Sequence, residues 1–254
     1  MAKESSIEEV LPEGLKVELM PKHVAVILDG NRRWAKEKGL AVELGHKEGK
    51  RVMMELAFLS SKWGIKVLSL FAFSTENWTR PKEEVDLLMS LFEDAVGAYT
   101  DDFVRYNVRL SFMGDRSKLP ESLIELINSG EERTKSNKGL HVIVALNYSG
   151  RFDIMQATKS IASKVKDGIL QMEDINETLF DEQLQTNCTK FPVPDLLIRT
   201  SGEQRISNFM LWQLAYTELF FSQKNFPDFQ EQDFVEALVS FQQRDRRFGG
   251  KTYS

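Results

Sequence analysis

Six short apolar runs, at residues 24–28, 67–73, 108–113, 141–146, 196–198 and 219–221, alternate with segments whose apolar residues recur at helical spacing. That alternation leaves few folds open. Strands buried on both faces and separated by helices build a mainly parallel sheet with helices packed over it. Val52, Leu56 and Leu59 share one face of a helix expected between Glu48 and Lys62. Val85, Leu88, Leu91, Phe92, Val96, Tyr99 and Phe103 continue through a long helix that Pro81 can start. Leu123, Leu126 and Ile127 predict a further helix that ends at Gly130 or soon after. Ile154, Ala157, Ile161 and Val165 predict one more, and Phe234, Leu238 and Phe241 a last one. With 254 residues, 42% of them hydrophobic, the chain fits one large α/β domain.

An open α/β sheet places its ligands at the carboxyl ends of its strands, so the residues that follow those ends should carry the chemistry. After the first run come Asp29, Gly30, Asn31, Arg32, Arg33 and Trp34. A strand that empties through glycine into a helix start presents unpaired backbone N–H groups, and two adjacent arginines favour an anion there. Taken alone, Asp-Gly-Asn also suits a tight turn. The other strand ends favour the anion. Phe73, Ser74, Thr75, Glu76, Asn77, Trp78, Thr79 and Arg80 follow the second run, and Asn147 to Arg151 follow the fourth. Arg199, Arg205 and Ser207 follow the fifth, and their forked donors plus a hydroxyl suit a second phosphate group. Glu218 stands in an apolar context, where a carboxylate needs a partner: with Asp29 it could hold Mg2+, or it could pair with an arginine. Trp63 and Trp212 read as core, whereas Trp34 and Trp78 lie in the polar loops.

Other chemistries are poorly served. Cys188 is the only cysteine, and His23, His46 and His141 have no zinc-site spacing. A net charge of −5 opposes a general nucleic-acid binder. There is no Gly-x-x-x-x-Gly-Lys-Ser/Thr loop, no Gly-x-Gly-x-x-Gly after the first strand and no nucleophile elbow. No apolar run approaches the roughly 18–20 residues that cross a bilayer. The acidic residues 1–20, with Glu4, Glu8, Glu9, Glu13 and Glu18, are neither a signal peptide nor an Arg/Ser-rich transit peptide. Two cationic anion sites without a nucleophile point to electrostatic, metal-assisted chemistry on diphosphates.

The chain resembles the cis-prenyltransferases, the family of undecaprenyl diphosphate synthase and its plant relatives. The stretches that carry the resemblance are HVAVILDGNRRWA, GHKEG, FAFSTENWTRP, EEVDLLM, NYSGRFDI, DLLIRTSGEQRISNFMLWQLAYTEL and RDRRFGG, in that order across about residues 20–250. The resemblance implies an acidic extension over 1–20, a catalytic α/β domain over 21–250 with an apolar cleft, and a tail over 251–254. It implies Mg2+-dependent condensation of isopentenyl diphosphate onto an allylic diphosphate. Asp29, Asn31, Ser74 and Asn77 become the catalytic set, with Asp29 placing metal and diphosphate and Glu218 a second metal contact. Gly30, Arg32, Arg33, Trp34 and His46 would serve the allylic diphosphate. Phe73, Glu76, Trp78 and Arg80 would line the reacting centre, and Arg199, Arg205 and Ser207 would hold the homoallylic diphosphate. The RDRRFGG tail is similar to a segment that reaches a neighbouring subunit's site, implying a homodimer. A soluble plant enzyme follows, in the plastid stroma if a transit peptide has been removed and otherwise cytoplasmic.

Three positions depart from the long-chain pattern. Val42 replaces an arginine that usually precedes the Gly-His pair, removing a charged hydrogen bond worth roughly 1.5–3 kcal/mol. Gln204 stands where bacterial members carry histidine, and Leu146 is larger than the frequent alanine and is expected to shorten the apolar pocket. A C10–C15 product, Z-configured or of the irregular lavandulyl type, is the expectation. A long-chain dehydrodolichyl-type synthase or a non-catalytic partner subunit are the rivals.

Overall fold

The computed structural model describes residues 11–248 and 250; Glu4, Glu8, Glu9, Gly249 and the tail 251–254 lie outside them. Six strands form one parallel sheet in the order β3-β4-β2-β1-β5-β6: β1 His23–Ile27, β2 Val67–Ser74, β3 Arg109–Met113, β4 His141–Tyr148, β5 Leu196–Arg199 and β6 Glu218–Phe221. All six expected strands form, within two residues of the apolar runs. The helices are α1 Asn31–Glu37, α2 Val42–Lys62, α3 Lys82–Arg105, α4 Glu121–Thr134, α5 Gly150–Lys166, α6 Glu177–Gln183 and α7 Glu231–Gln242.

Alternation along the strands sorts side chains to two faces. Val24, Val26, Leu68, Leu70, Leu110, Val142, Leu196 and Ile198 pack with residues of α2, α3 and α7. Ala25, Ile27, Phe71, Ile143, Ala145 and Leu197 pack with Phe209, Met210 and Leu214 on the other. A register shift after Phe71, where β2 pairs with β4, interrupts this alternation. It turns Phe73 to join Leu146 in a third cluster with Leu88, Met89 and Val96 of α3 and Leu123 and Ile127 of α4. Leu146 is therefore helix-facing core and does not line the cavity described below, which corrects the expectation that it shortens the pocket.

The helix boundaries differ from expectation where glycines hide the pattern. α2 starts at Val42, six residues before Glu48, because Gly45 and Gly49 lack the side chains that would mark an apolar face. Both sit against α1, and a Cβ at Gly45 would lie 2.2 Å from the Asn31 carbonyl oxygen. α4 likewise passes through Gly130 to Thr134, since that glycine allows close approach to Leu110 and Thr100. The short α6, exposed along most of its length, gave no apolar period to read.

Two histidines are buried at the amino-terminal end of the sheet, opposite the carboxyl-end loops. His23 donates from Nδ1 to the Phe191 carbonyl at 2.7 Å and accepts at Nε2 from the Ser69 hydroxyl at 2.7 Å. His141 Nε2 pairs with the Ser111 hydroxyl at 2.8 Å. Burial lowers both from 6.5 to about 4. The unfolded chain thus binds protons near pH 6.5 that the folded chain refuses until about pH 4, so stability falls as pH drops through that window. Urea unfolding at pH 7.5 and pH 5 should show a loss of about 2 kcal/mol for each of these histidines. His23→Gln should flatten that slope.

Candidate active site

The chain runs from β1 to β2 on one side of the sheet and later places β5 on the other side of β1, so the loops after β1 and β5 diverge at a topological switch point. Asp29 stands there. Its backbone N–H donates to the Thr200 hydroxyl at 3.0 Å, and that hydroxyl donates to the Asp29 carbonyl at 2.6 Å. Its carboxylate accepts from Arg199 Nη2 at 2.8 Å and from Arg33 Nη2 at 3.1 Å. Partial burial alone would raise the Asp29 carboxyl. The hydrogen bond and charge of Arg199, joined by Arg33, outweigh it and hold the group below the usual carboxylate range.

Arg199 is 3% exposed, and its Nη1 donates to the Arg205 carbonyl and, at 2.7 Å, to the Ser207 hydroxyl. Arg33 also reaches the Ser201 hydroxyl at 2.7 Å and Glu203 at 3.2 Å, and Glu203 pairs in turn with Arg205. The backbone of this loop is held in the left-handed region at Ser201, Ser207, Asn208 and Met210, a concentration of strain typical of functional loops. Arg33, Arg199, Arg205 and Ser207 therefore form one fork of donors beside Asp29.

A second group lines the mouth of a cavity of about 480 Å³. Asp29, Gly30, Asn31, Arg32, Arg33, His46 and Arg80 all contribute to its wall. Arg32 and Arg80 share Glu84 at 3.1 Å each. His46, one turn along α2 from Val42, is held to about 4 by burial and by Arg80, so it is uncharged at neutral pH. Gly30 has φ 108° and lies so close to Asn225 that a Cβ would stand 2.5 Å from its Oδ1. The Asn31 Oδ1 is buried without a hydrogen-bond partner, directly under Gly49. Below the mouth the wall becomes apolar, from Met53, Ala57 and Ala72 to Tyr99, Phe103, Leu110 and Val142.

Other expected residues lie elsewhere. Trp34 donates to Asp228 at 2.7 Å and carries Lys38 over its ring, outside the cavity. Phe73 is buried against Trp78 and Phe92. Asn77 Oδ1 caps the Ser74 N–H at 3.0 Å, so these two form the reciprocal cap of the turn after β2. Trp78 donates to Asn147 at 2.7 Å, and Glu76 accepts from Asn208 at 2.8 Å. Glu218 lies at the opposite edge of the sheet. It opens β6 opposite Leu196, three residues or about 10 Å before Arg199 at the other end of the strands. There it pairs with Arg244 at 2.9 Å, away from the Asp29 of its own chain.

Among the described residues no three His, Cys, Asp or Glu side chains converge to hold a metal. Magnesium fits the site nonetheless, because it commonly uses one or two carboxylates and completes its shell with substrate phosphate and water. Asp29, ionised and beside two arginine forks, is such a carboxylate.

A prenyltransferase family model, that of undecaprenyl diphosphate synthase, matches residues 27–249. The chain belongs to this family. It is 58% identical over 96% of its length to dehydrodolichyl diphosphate synthase 2 of Arabidopsis thaliana, covering 79% of that protein. It is also 58% identical, over 93% of its length and 81% of the relative, to a chloroplastic (2Z,6Z)-farnesyl diphosphate synthase of Solanum lycopersicum. A lavandulyl diphosphate synthase from Lavandula x intermedia, solved with dimethylallyl diphosphate, superposes with TM-score 0.90 at 46% identity, over 91% of this chain and 99% of that one. This prenyltransferase thus builds a prenyl diphosphate from isoprenoid diphosphates on the expected α/β fold. Residue-by-residue reading overlooked Glu84, Glu203, Thr200 and Asn225, which act on the site by pairing with its arginines or by shaping the Asp29 loop. Glu84 and Glu203 lie in the motifs quoted above, but only the fold shows that each bridges two arginines.

Gly49→Ala would place a Cβ 2.2 Å from Asn31 Oδ1. The Asn31 side chain must then move, and kcat/KM should fall about 10²-fold. Steady-state kinetics alongside thermal unfolding checks this.

Proposed function

We propose that this prenyltransferase makes a short C10–C15 prenyl diphosphate from dimethylallyl diphosphate. The observation that carries the reading is the size of the apolar cavity. Its apolar wall spans residues in register from Ala72 down to the level of Leu68, four residues or about 13 Å, and includes Phe103 and Tyr99. About 480 Å³ is the scale of a small-molecule site (about 300–1,000 Å³), not of a polyprenyl chain.

In this reading the allylic diphosphate sits at the mouth against Arg32, Arg80 and the N–H groups at Gly30 and Asn31, and its hydrocarbon descends along the apolar wall. Arg33, Arg199, Arg205 and Ser207 hold the second diphosphate. Both hydrocarbons are then fixed with their reacting carbons near Asp29, which converts an encounter into a positioned reaction. Mg2+, held by Asp29 with diphosphate oxygens, would neutralise charge as the allylic diphosphate leaves. The arginines stabilise the same developing charge without reorganising. Glu76 and Trp78, beside the second fork through Asn208, border the reacting centre, and Ser74 and Asn77 hold the turn that presents them.

The tail supports a homodimer. Arg244 and Arg246 anchor it at the amino-terminal end of the sheet, on Glu218 and Asp195, far from its own Asp29. Tyr216 and Phe248, 64% and 59% exposed, lie side by side there with their rings 6.2 Å apart. The chloroplastic relatives support a plastid location, which the position of a fluorescent fusion in plant cells would test.

Product analysis by mass spectrometry tests the chemistry. With Mg2+, dimethylallyl and isopentenyl diphosphates should give a Z-configured C10 or C15 diphosphate, and chains beyond C50 would refute the short-chain reading. A branched C10 product from dimethylallyl diphosphate alone would instead establish irregular coupling, the chemistry in the name of the lavandulyl neighbour. Asp29→Ala should abolish turnover while circular dichroism stays native. Val42→Arg should lower the KM of one diphosphate about tenfold if that departure tunes the site.

A further inference from the structure

Three of the strand-end loops meet on one side chain. The Asn208 carbonyl accepts from the Gly150 N–H at 2.6 Å, its Oδ1 accepts from the Arg151 N–H at 3.0 Å, and its Nδ2 donates to Glu76 Oε1 at 2.8 Å. Its neighbour Ser207 is held by Arg199, which holds Asp29. A continuous line of bonds therefore runs from Asp29 through Arg199, Ser207 and Asn208 to Glu76 on the turn after β2. Glu76 has no Lys, Arg or His within 4 Å among the described residues. Apart from Asn208, the polar groups that face it are its own backbone N–H and the hydroxyls of Ser74 and Thr75.

We propose that Asn208 is a positioning residue that couples the second diphosphate fork to the Glu76–Trp78 turn, so that an anion on the fork sets the turn in place. This rests on the two-diphosphate reading above. At φ 61° Asn208 could instead serve only as a residue that tolerates the left-handed region. Two substitutions separate these roles. Asn208→Gly keeps that backbone freely but deletes both side-chain bonds. Asn208→Asp tolerates the same φ and still accepts from Arg151, but it sets a carboxylate against Glu76.

The full chain with Mg2+, dimethylallyl and isopentenyl diphosphates is the assay. N208G should keep the wild-type unfolding temperature and allylic KM, while kcat/KM for isopentenyl diphosphate drops about tenfold. N208D should lose as much at pH 8 and regain part of it at pH 6, where two facing carboxylates share a proton. A readout independent of turnover is tryptophan fluorescence during titration with inorganic pyrophosphate, with Trp78→Phe identifying the contribution of Trp78. In N208G pyrophosphate should still bind by calorimetry, but the Trp78 response should disappear. An unchanged Trp78 response in N208G, or equal losses toward both substrates together with a lowered unfolding temperature, overturns the proposal. A wild-type chain that responds to pyrophosphate but forms no prenyl product would refute the functional reading and leave the coupling intact.

Discussion

The pair between Asp29 and Arg199 is the interaction on which the rest of the site depends. It joins the ends of β1 and β5, which part at the switch point of the sheet, and it orients a guanidinium that is almost wholly buried. A buried arginine without a partner would be strongly destabilising, and both Nη groups of this one are held, by Asp29, Ser207 and the Arg205 carbonyl, while its Nε is buried without a partner. The same contact keeps Asp29 ionised and draws the 199–208 loop over the strand ends. Thr200 completes the arrangement by exchanging hydrogen bonds with the Asp29 backbone, so the carboxylate is fixed from both sides.

Charge balance explains how so many arginines coexist before substrate arrives. Arg32 and Arg80 share Glu84, and Arg33 and Arg205 share Glu203, so each group of cations has a resident carboxylate lying across it. The four guanidiniums are separated into two pairs of limited net charge and are oriented by bonds that an incoming diphosphate can take over. His46 adds no charge, because burial and the nearby arginines favour its neutral form. The site is preorganised for anions without a large uncompensated positive charge inside a chain whose net charge is −5.

The strands were legible because both faces of a parallel sheet are buried, which leaves continuous apolar runs such as 24–28 and 67–73 in the sequence. The carboxyl-end loops were legible for the same reason, since direction is common to all strands and polar clusters after them must share one edge. What misled were residues whose meaning depends on a partner distant in sequence. Glu218 looked like a second acid for the Asp29 site, but it begins its strand where Arg199 ends one, so the two acids occupy opposite edges. Leu146 was expected to shorten the pocket because it is larger than the frequent alanine, but it packs with Phe73 under α3 and α4 and does not line the cavity. Gly45 and Gly49 concealed the first turns of α2 because their role is to admit α1, a contact with no local signature.

The register shift also divides labour within the site. By removing Phe73 from the sheet face and stacking it edge-on with Trp78, it fixes the turn at 75–79 to the α3–α4 layer rather than to the cavity wall. On β2 the cavity wall is formed by Leu70 and the small Ala72, between the sheet and the helices α2 and α3. The irregularity in β2 thereby anchors the turn that borders the mouth of the cleft. Phe103 and Tyr99, deep in the apolar wall, lie toward the far end of α3, whose first turn supplies Glu84 to the mouth just after Arg80 in the β2–α3 connection. Any change in how α3 packs on β2 must therefore alter the depth of the cleft and the spacing of the arginines together, so product length and diphosphate binding are coupled through a single helix.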